Sequence, residues 1–295
     1  MESIYTLPKL YKCLVLARPS KVCKSPYLAD VKVFDDEGTI IEENVMAHSP
    51  ALGCCGLICK DAYVMCTKSE SLKAKSKYVI HHVIQKFSDS ENSEDSGECK
   101  TRSQSCIGVN PMLANPIVKS LLLNNKIEEF QNIKELKAEI TVDESRFDFT
   151  FINQEGKRVY LEVKNVPLAD FVDMTEKERK KLDVEHNMHL YDVNKKIAIF
   201  PDGYRKNKAE PVSPRALKHV NHLSKIHKEN PDVLCALVFL IQRTDVVSFK
   251  PSSLDPIYHK AVYDAVDSGV MVLPYCVSWE GSNCSFLKKV ELLSK

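Results

Sequence analysis

Between residues 145 and 165 the chain reads SRFDFTFINQEGKRVYLEVKN, two runs of alternating apolar and polar positions about a short turn. Period-two alternation on both sides of a turn predicts a β-hairpin. The first run puts Phe147, Phe149 and Phe151 on one face, and the second adds Val159, Leu161 and Val163. A three-residue loop of Gln154, Glu155 and Gly156, with Gly156 in the left-handed region, sets Asp148 directly across from Glu162. Side chains alternate along a strand, so Arg146, Thr150, Arg158, Tyr160 and Lys164 share the polar face with the two acids.

Ahead of the hairpin, residues 9–85 carry five short alternating segments rich in Val, Ile and Tyr: KCLVLARPS, YLADVKVFD, IIEENVMAH, AYVMCTK and KYVIHHVIQ. The turn DDEG joins two of them, and about five strands in this length suit an OB-like barrel. Such barrels bind single strands through basic and aromatic side chains on one face. Lys12, Arg18, Lys21, Lys24 and Tyr27 are the candidates, or else they keep a barrel edge soluble; His48 reads as structural. Residues 88–105, SDSENSEDSGECKTRSQS, are polar and predicted to be a disordered insert. The predicted organisation is a barrel over 1–87, this insert, and an α/β core over 106–295.

Within that core NPIVKSLLLNN predicts a helix, with Asn115 as cap and Pro116 in its first turn. A strand around 139–142 then leads into the hairpin. Ser213 and Pro214 open a second helix whose Leu217, Val220, Leu223 and His227 share one face. DVLCALVFLI is continuously apolar, as a strand buried on both faces would be, and Gln242 and Arg243 follow its end. Asp255 and Pro256 open a further helix that Gly269 closes, and VMVLPYCV supplies another strand. The order implies a mixed sheet with flanking helices.

The chemistry turns on the acid pair. Two carboxylates across a ladder have Cβ atoms about 5 Å apart and repel. A hard divalent cation neutralises them with oxygen ligands, to which the Val163 carbonyl adds another, and Lys164 can orient water or steady charge on a phosphate. The alternative is a solvated face on which Arg146, Arg158 and Lys164 pair with the acids.

Composition changes the picture little. With 44% hydrophobic and 27% charged residues the chain is ordinary for a globular protein, and its net charge of +1 means that any phosphate-binding surface is local. Eleven cysteines are scattered; Cys54, Cys55 and Cys59 lie closest together, with no second pair at zinc-site spacing. No stretch approaches the roughly 20 apolar residues of a membrane span. No membrane partner and an intracellular location, cytoplasmic or nuclear, are therefore expected; the oligomeric state is left open.

SRFDF followed by LEVKN resembles the SfsA (sugar fermentation stimulation protein) family. The resemblance continues in AHSPALG, VNPMLANPIV, IFPDG, VSPRALKHVNHL and VFLIQR, in order along nearly the whole chain. It implies a multidomain α+β protein: an N-terminal OB-like β-barrel followed by an α/β mixed-sheet, restriction-endonuclease-like core of the PD-(D/E)xK type. It further implies Asp148 and Glu162 as ligands of Mg2+ or Mn2+, Lys164 as catalytic, and Glu139 as a possible further acid. Arg146, Arg158, Lys218, Gln242 and Arg243, with Lys12 and Arg18 from the barrel, are the expected contacts to DNA or RNA. His219, beside Lys218, reads as a structural hydrogen-bonder. The insertions at 172–194 and 204–211 depart from the family pattern and either gate the substrate or decorate the surface. Two function classes follow: a metal-dependent nuclease, or a nucleic-acid-binding or regulatory protein that keeps the nuclease shape.

Overall fold

The computed structural model describes residues 2–51, 54–71, 74–86, 104–183, 195–203, 207 and 209–295. Most of the acidic insert and parts of both later insertions, 184–194, 204–206 and 208, lie outside the described residues. After β1 (Ser3–Thr6), the N-terminal part consists of β2 (Tyr11–Ala17), β3 (Leu28–Phe34), β4 (Ile40–His48), β5 (Tyr63–Lys68), β6 (Tyr78–Lys86) and β7 (Gln104–Gly108). Alternation drives these strands together: Cys13, Val15, Val31, Val33, Val64, Cys66, Tyr78 and Ile80 are all buried in one core. The sheet runs β4-β3-β2-β5-β6-β7, and β4 also pairs in parallel with β6 through Ala47–Tyr78 and His48–Val79. Cys106, expected to open the second domain, lies within β7 and pairs with Ile84 of β6, so the N-terminal sheet extends to Gly108.

The remaining chain forms α1 (Ala114–Leu123), β8 (Lys134–Val142), β9 (Ser145–Ile152), β10 (Arg158–Asn165), β11 (Ala169–Asp170), α2 (Glu176–Lys181) and β12 (Lys196–Phe200). Then come α3 (Pro214–Glu229), β13 (Leu234–Ile241), β14 (Val246–Pro251), α4 (Pro256–Asp267), β15 (Met271–Glu280), β16 (Asn283–Lys289) and β17 (Glu291–Leu292). A seven-stranded mixed sheet has the order β1-β16-β15-β13-β10-β9-β8, with β10, β13 and β15 parallel. A four-stranded sheet, β11-β12-β14-β17, lies beside it. The fold is mixed α+β, as expected.

Both faces of the large sheet are covered, which explains the unbroken apolar run of β13. Ala236, Val238 and Leu240 face the core that contains Ile117, Val118, Leu121 and Leu122 of α1. Leu237, Phe239 and Ile241 face the core of α3 and α4, with Val220, Leu223, Tyr258 and Val262. Helix α3 starts where Ser213 Oγ accepts from the Ala216 N–H with Pro214 first in the helix, and α4 starts where Asp255 accepts from the Tyr258 N–H. The expected cap of α1 is different: Asn110 caps a short 3-10 turn ahead of it, and the Asn115 side chain is used elsewhere.

The two sheets meet at Gly108. Its N–H donates to the Gln242 carbonyl at 2.8 Å, while the Gln242 side chain donates to Asn165 Oδ1 and accepts from Trp279 Nε1. The Trp279 ring in turn lies 4.2 Å from that of His82 on β6. Gln242 thus ties the N-terminal six-stranded sheet to the seven-stranded one, with both ends of its amide engaged. A Cβ on Gly108 would sit 2.3 Å from Gln242 Oε1, which the Trp279 and Asn165 bonds hold in place. Gly108→Ala is therefore predicted to cost about 1–3 kcal/mol, the usual penalty of overpacking. A denaturant midpoint unchanged by the substitution would show that the junction yields freely.

Candidate metal and catalytic site

The hairpin forms as its alternation predicts. Ile152 pairs with Arg158 and Phe149 with Leu161, Asn153 and Lys157 close the turn, and Gly156 adopts φ 80°. That register, extended by one pair, would bring Asp148 opposite Glu162, but the ladder ends at Phe149–Leu161. Beyond it the Asp148 carboxylate takes the place of the ladder bond, with Oδ2 accepting the Val163 N–H at 2.7 Å. Phe147, expected to share a face with Phe149, packs instead in the opposite core beside His219 and His222. With β10 no longer alongside at this point, the strand is free to turn its ring toward α3.

Each acid is held from its own side of the sheet. Asn115 of α1 donates to Asp148 Oδ1 at 2.7 Å. On the α3 side, Glu162 Oε1 is engaged by both Lys164 Nζ and His219 Nδ1. Glu162 is buried, and its Oε2 has no hydrogen-bond partner among the described residues. Burial pushes the Asp148 carboxyl above its usual range and the neighbouring Glu162 charge adds to this, against the Val163 N–H, Asn115 and Lys164. Burial acts the same way on Glu162, but His219 and Lys164 outweigh it and leave that carboxyl below its usual range. An electrostatically coupled acid pair with one orphaned oxygen presents an all-oxygen donor set, which is what a hard divalent cation takes. Among the described residues no group of three or more His, Cys, Asp or Glu side chains gathers at one point, so further oxygens would come from backbone and water. Val166 N–H bonds to Leu240 on β13, and alternate residues of a parallel strand face the same neighbour. The Val163 N–H and carbonyl therefore face the β9 side, where Asp148 lies.

The other expected residues do not gather here. Glu139 is exposed and paired with Arg146, and Arg158 is paired with Glu135 at 3.1 Å near the turn. Arg158 lies four residues before Glu162, about 13 Å along the strand. Arg243, expected at a strand end facing phosphate, is buried with each of its three nitrogens engaged: Nε and Nη2 donate to Asp245 and Nη1 to the Pro167 carbonyl. Gln242 is the tie between the two sheets described above. Lys218 is exposed and bonded to Glu144, Lys12 lies 4.6 Å from the Tyr63 ring, and Arg18 donates to the Pro26 and Ala51 carbonyls. Lys21, Lys24 and Tyr27 are exposed in the loop before β3. Acids or carbonyls thus claim most of the expected nucleic-acid contacts.

Two further residues of the site differ in their sequence signal. Asn115, expected as a cap, sits in a first turn between buried Ala114 and Ile117, a place that points equally to a tertiary partner. His219 was legible through spacing: with Ala216, Val220 and Leu223 it completes the i, i+3, i+4, i+7 stripe that faces the sheet.

The domain family described as "Sugar fermentation stimulation protein RE domain" matches residues 112–283. The Sugar fermentation stimulation protein homolog of Desulfotalea psychrophila is 27% identical over 254 residues, covering 85% of this chain and 84% of the relative. That of Nostoc punctiforme is 25% identical over 300 residues, covering 99% and 100%. The solved structure of Pyrococcus furiosus SfsA in complex with Ca2+ shares the fold over 100% of both chains, with a TM-score of 0.69 and 16% identity.

The raised Asp148 carboxyl fixes a pH dependence. Protons compete with a cation there at higher pH than at an ordinary carboxylate, so cation binding is complete above that value and is lost as pH falls through it. The rise in melting temperature caused by Ca2+ should be full at alkaline pH and shrink as pH falls, before an ordinary carboxylate would take up a proton. Asp148→Asn should abolish both the rise and its pH dependence. A Ca2+ effect that survives that substitution would move the cation elsewhere.

Proposed function

The chain belongs to the sugar fermentation stimulation protein (SfsA) family, and from that premise we propose that it is a metal-dependent phosphodiesterase acting on nucleic acid. The observation that carries the reading is the mutually repelling pair of half-buried Asp148 and buried Glu162, with Lys164 bonded to the second acid. A surface that only binds phosphate has no use for two acids beside it. The pattern Asp148, then Glu162-Val163-Lys164, on a hairpin of a mixed sheet supports a PD-(D/E)xK core of the restriction-endonuclease type. The order β4-β3-β2-β5-β6, returning to β4 by a parallel pair, supports an OB-like barrel ahead of it.

Asp148, Glu162 and the Val163 carbonyl would hold the cation, Mg2+ or Mn2+. When bound, such an ion polarises a phosphoryl oxygen and acidifies water. The chain's own residues do the rest. Asn115 and the Val163 N–H hold the Asp148 carboxylate in one orientation, and His219 holds Glu162 with its free oxygen unpaired. Lys164, released from Glu162 as the acid turns to an ion, is the group that positions water or steadies the pentavalent phosphate. The relative from Pyrococcus furiosus was solved with Ca2+, which is consistent with a divalent site on this fold. Glu139 has no part in this scheme. Arg146 and Lys218 reach strand phosphates only by exchanging their exposed acidic partners, a small cost at a surface. An intracellular nucleic acid, DNA or RNA, is the proposed partner; among the described residues no helix is long and apolar enough to cross a membrane.

Lys164→Ala separates binding from turnover. The Ca2+-induced rise in melting temperature should persist, while Mn2+-dependent cleavage of a labelled oligonucleotide falls by about 10²–10³, the scale of losing one group that stabilises transition-state charge. Wild-type protein that binds both Mn2+ and the oligonucleotide but never cleaves would favour the non-catalytic reading.

A further inference from the structure

A cleft of about 570 Å³ opens where β10 ends, between the two sheets. Asn165 at the end of β10 and Pro167 just after it line the cleft, with Val109 and Pro111 from the segment ahead of α1, Phe200 at the end of β12 and Asp202 beyond it. It adjoins the acid pair through the chain itself. Asn165 is one Cα step, about 3.8 Å, from Lys164. Pro111 precedes Asn115, the residue that holds Asp148, by four positions. Outside the carboxyl ends of parallel strands is also where α/β sheets receive ligands.

Resting on the phosphodiesterase reading, we infer that this cleft takes one unstacked nucleobase of the substrate strand, next to the phosphate at Asp148 and Glu162. Its chemistry selects a base over a phosphate. Among the described residues no lysine or arginine lines it to hold a phosphate. The walls are apolar, with two prolines, Val109 and Phe200, a lining suited to the flat faces of an uncharged ring. The volume lies within the range of small-ligand pockets and exceeds what a single base needs. Two polar groups converge on it. Asn165 Oδ1 already accepts from Gln242, so what its amide presents is an N–H donor. The Asp202 carboxylate accepts. A donor and an acceptor on apolar walls read the edge of a base that has left its stack.

The consequence is a substrate class. The nucleotide beside the scissile phosphate must be unpaired, in a single strand, a junction or a flipped position, and an intact duplex is a poor substrate. Gln242 ties this cleft to the junction of the two sheets, so the barrel and the core both shape it.

The test scans one 2-aminopurine along a single-stranded oligonucleotide bound to the full chain in Ca2+. Its emission reports the surroundings of one base at a time. One position alone should change emission, and an abasic unit there should weaken binding about tenfold, the scale of losing one stacked base. Val212→Trp fills the cleft beside Gly203, whose Cβ would meet Val212 Cγ1 at 3.0 Å. It should erase the positional signal while leaving the Ca2+-induced rise in melting temperature intact. If the variant does not fold, the abasic scan on the wild type decides alone. Equal emission and equal affinity at every position overturn the inference, as does cleavage of a fully paired duplex as fast as of a single strand. In those cases Asp148-dependent cleavage would still stand, whereas absence of any nucleic-acid binding would overturn both readings.

Discussion

Two neighbouring carboxylates, one held from each side of the sheet, impose the constraint on which the rest of this fold depends. The Glu162 charge works against ionisation of Asp148, and burial adds to that cost. The chain meets the cost by breaking its own hydrogen-bond ladder. The β9–β10 pairing stops at Phe149–Leu161, and the Asp148 carboxylate accepts the Val163 N–H that the broken ladder leaves over. One acid is thus neutralised in part by backbone, the other by Lys164 and His219. The acids are treated unequally, which is why burial and repulsion raise one carboxyl while its partners lower the other.

The surrounding elements follow from that arrangement. Helix α1 lies on one face, where Asn115 reaches Asp148, and α3 lies on the other, where His219 reaches Glu162. Phe147 turns toward α3 and helps to seal the pocket around His219. Next to Lys164, Asn165 binds Gln242, and Gln242 binds Trp279 and the Gly108 backbone, so the N-terminal sheet is fixed to the strand that carries the site. These bonds connect the acids to both halves of the chain.

Much of this was legible in the alternation of residues 145–165. The three-residue loop with Gly156 left-handed follows from the spacing of the two apolar runs, and it alone sets the register that brings Asp148 toward Glu162. The capped starts of α3 and α4 were equally local, because Ser213, Pro214, Asp255 and Pro256 act on their own turns. What the sequence hid was tertiary. Nothing local shows that the ladder breaks at Asp148, so Phe147 was assigned to the wrong face. Arg243 looked available because only the fold brings its guanidinium onto Asp245 and the Pro167 carbonyl. Glu139 and Arg146 neutralise each other across adjacent strands, a pairing set by the β8–β9 register rather than by sequence spacing. Helix α1 lost its expected cap for the same reason, since Asn115 has a distant acceptor.

The central claim is that the acid pair is a cation site. Anomalous diffraction from crystals soaked in Mn2+ tests it most directly. The account predicts one peak in contact with the Asp148 carboxylate, Glu162 Oε2 and the Val163 carbonyl, at oxygen distances of about 2.0–2.2 Å, typical of a small hard dication. Crystals that show no peak there, with Lys164 and His219 still closed on Glu162, would contradict it.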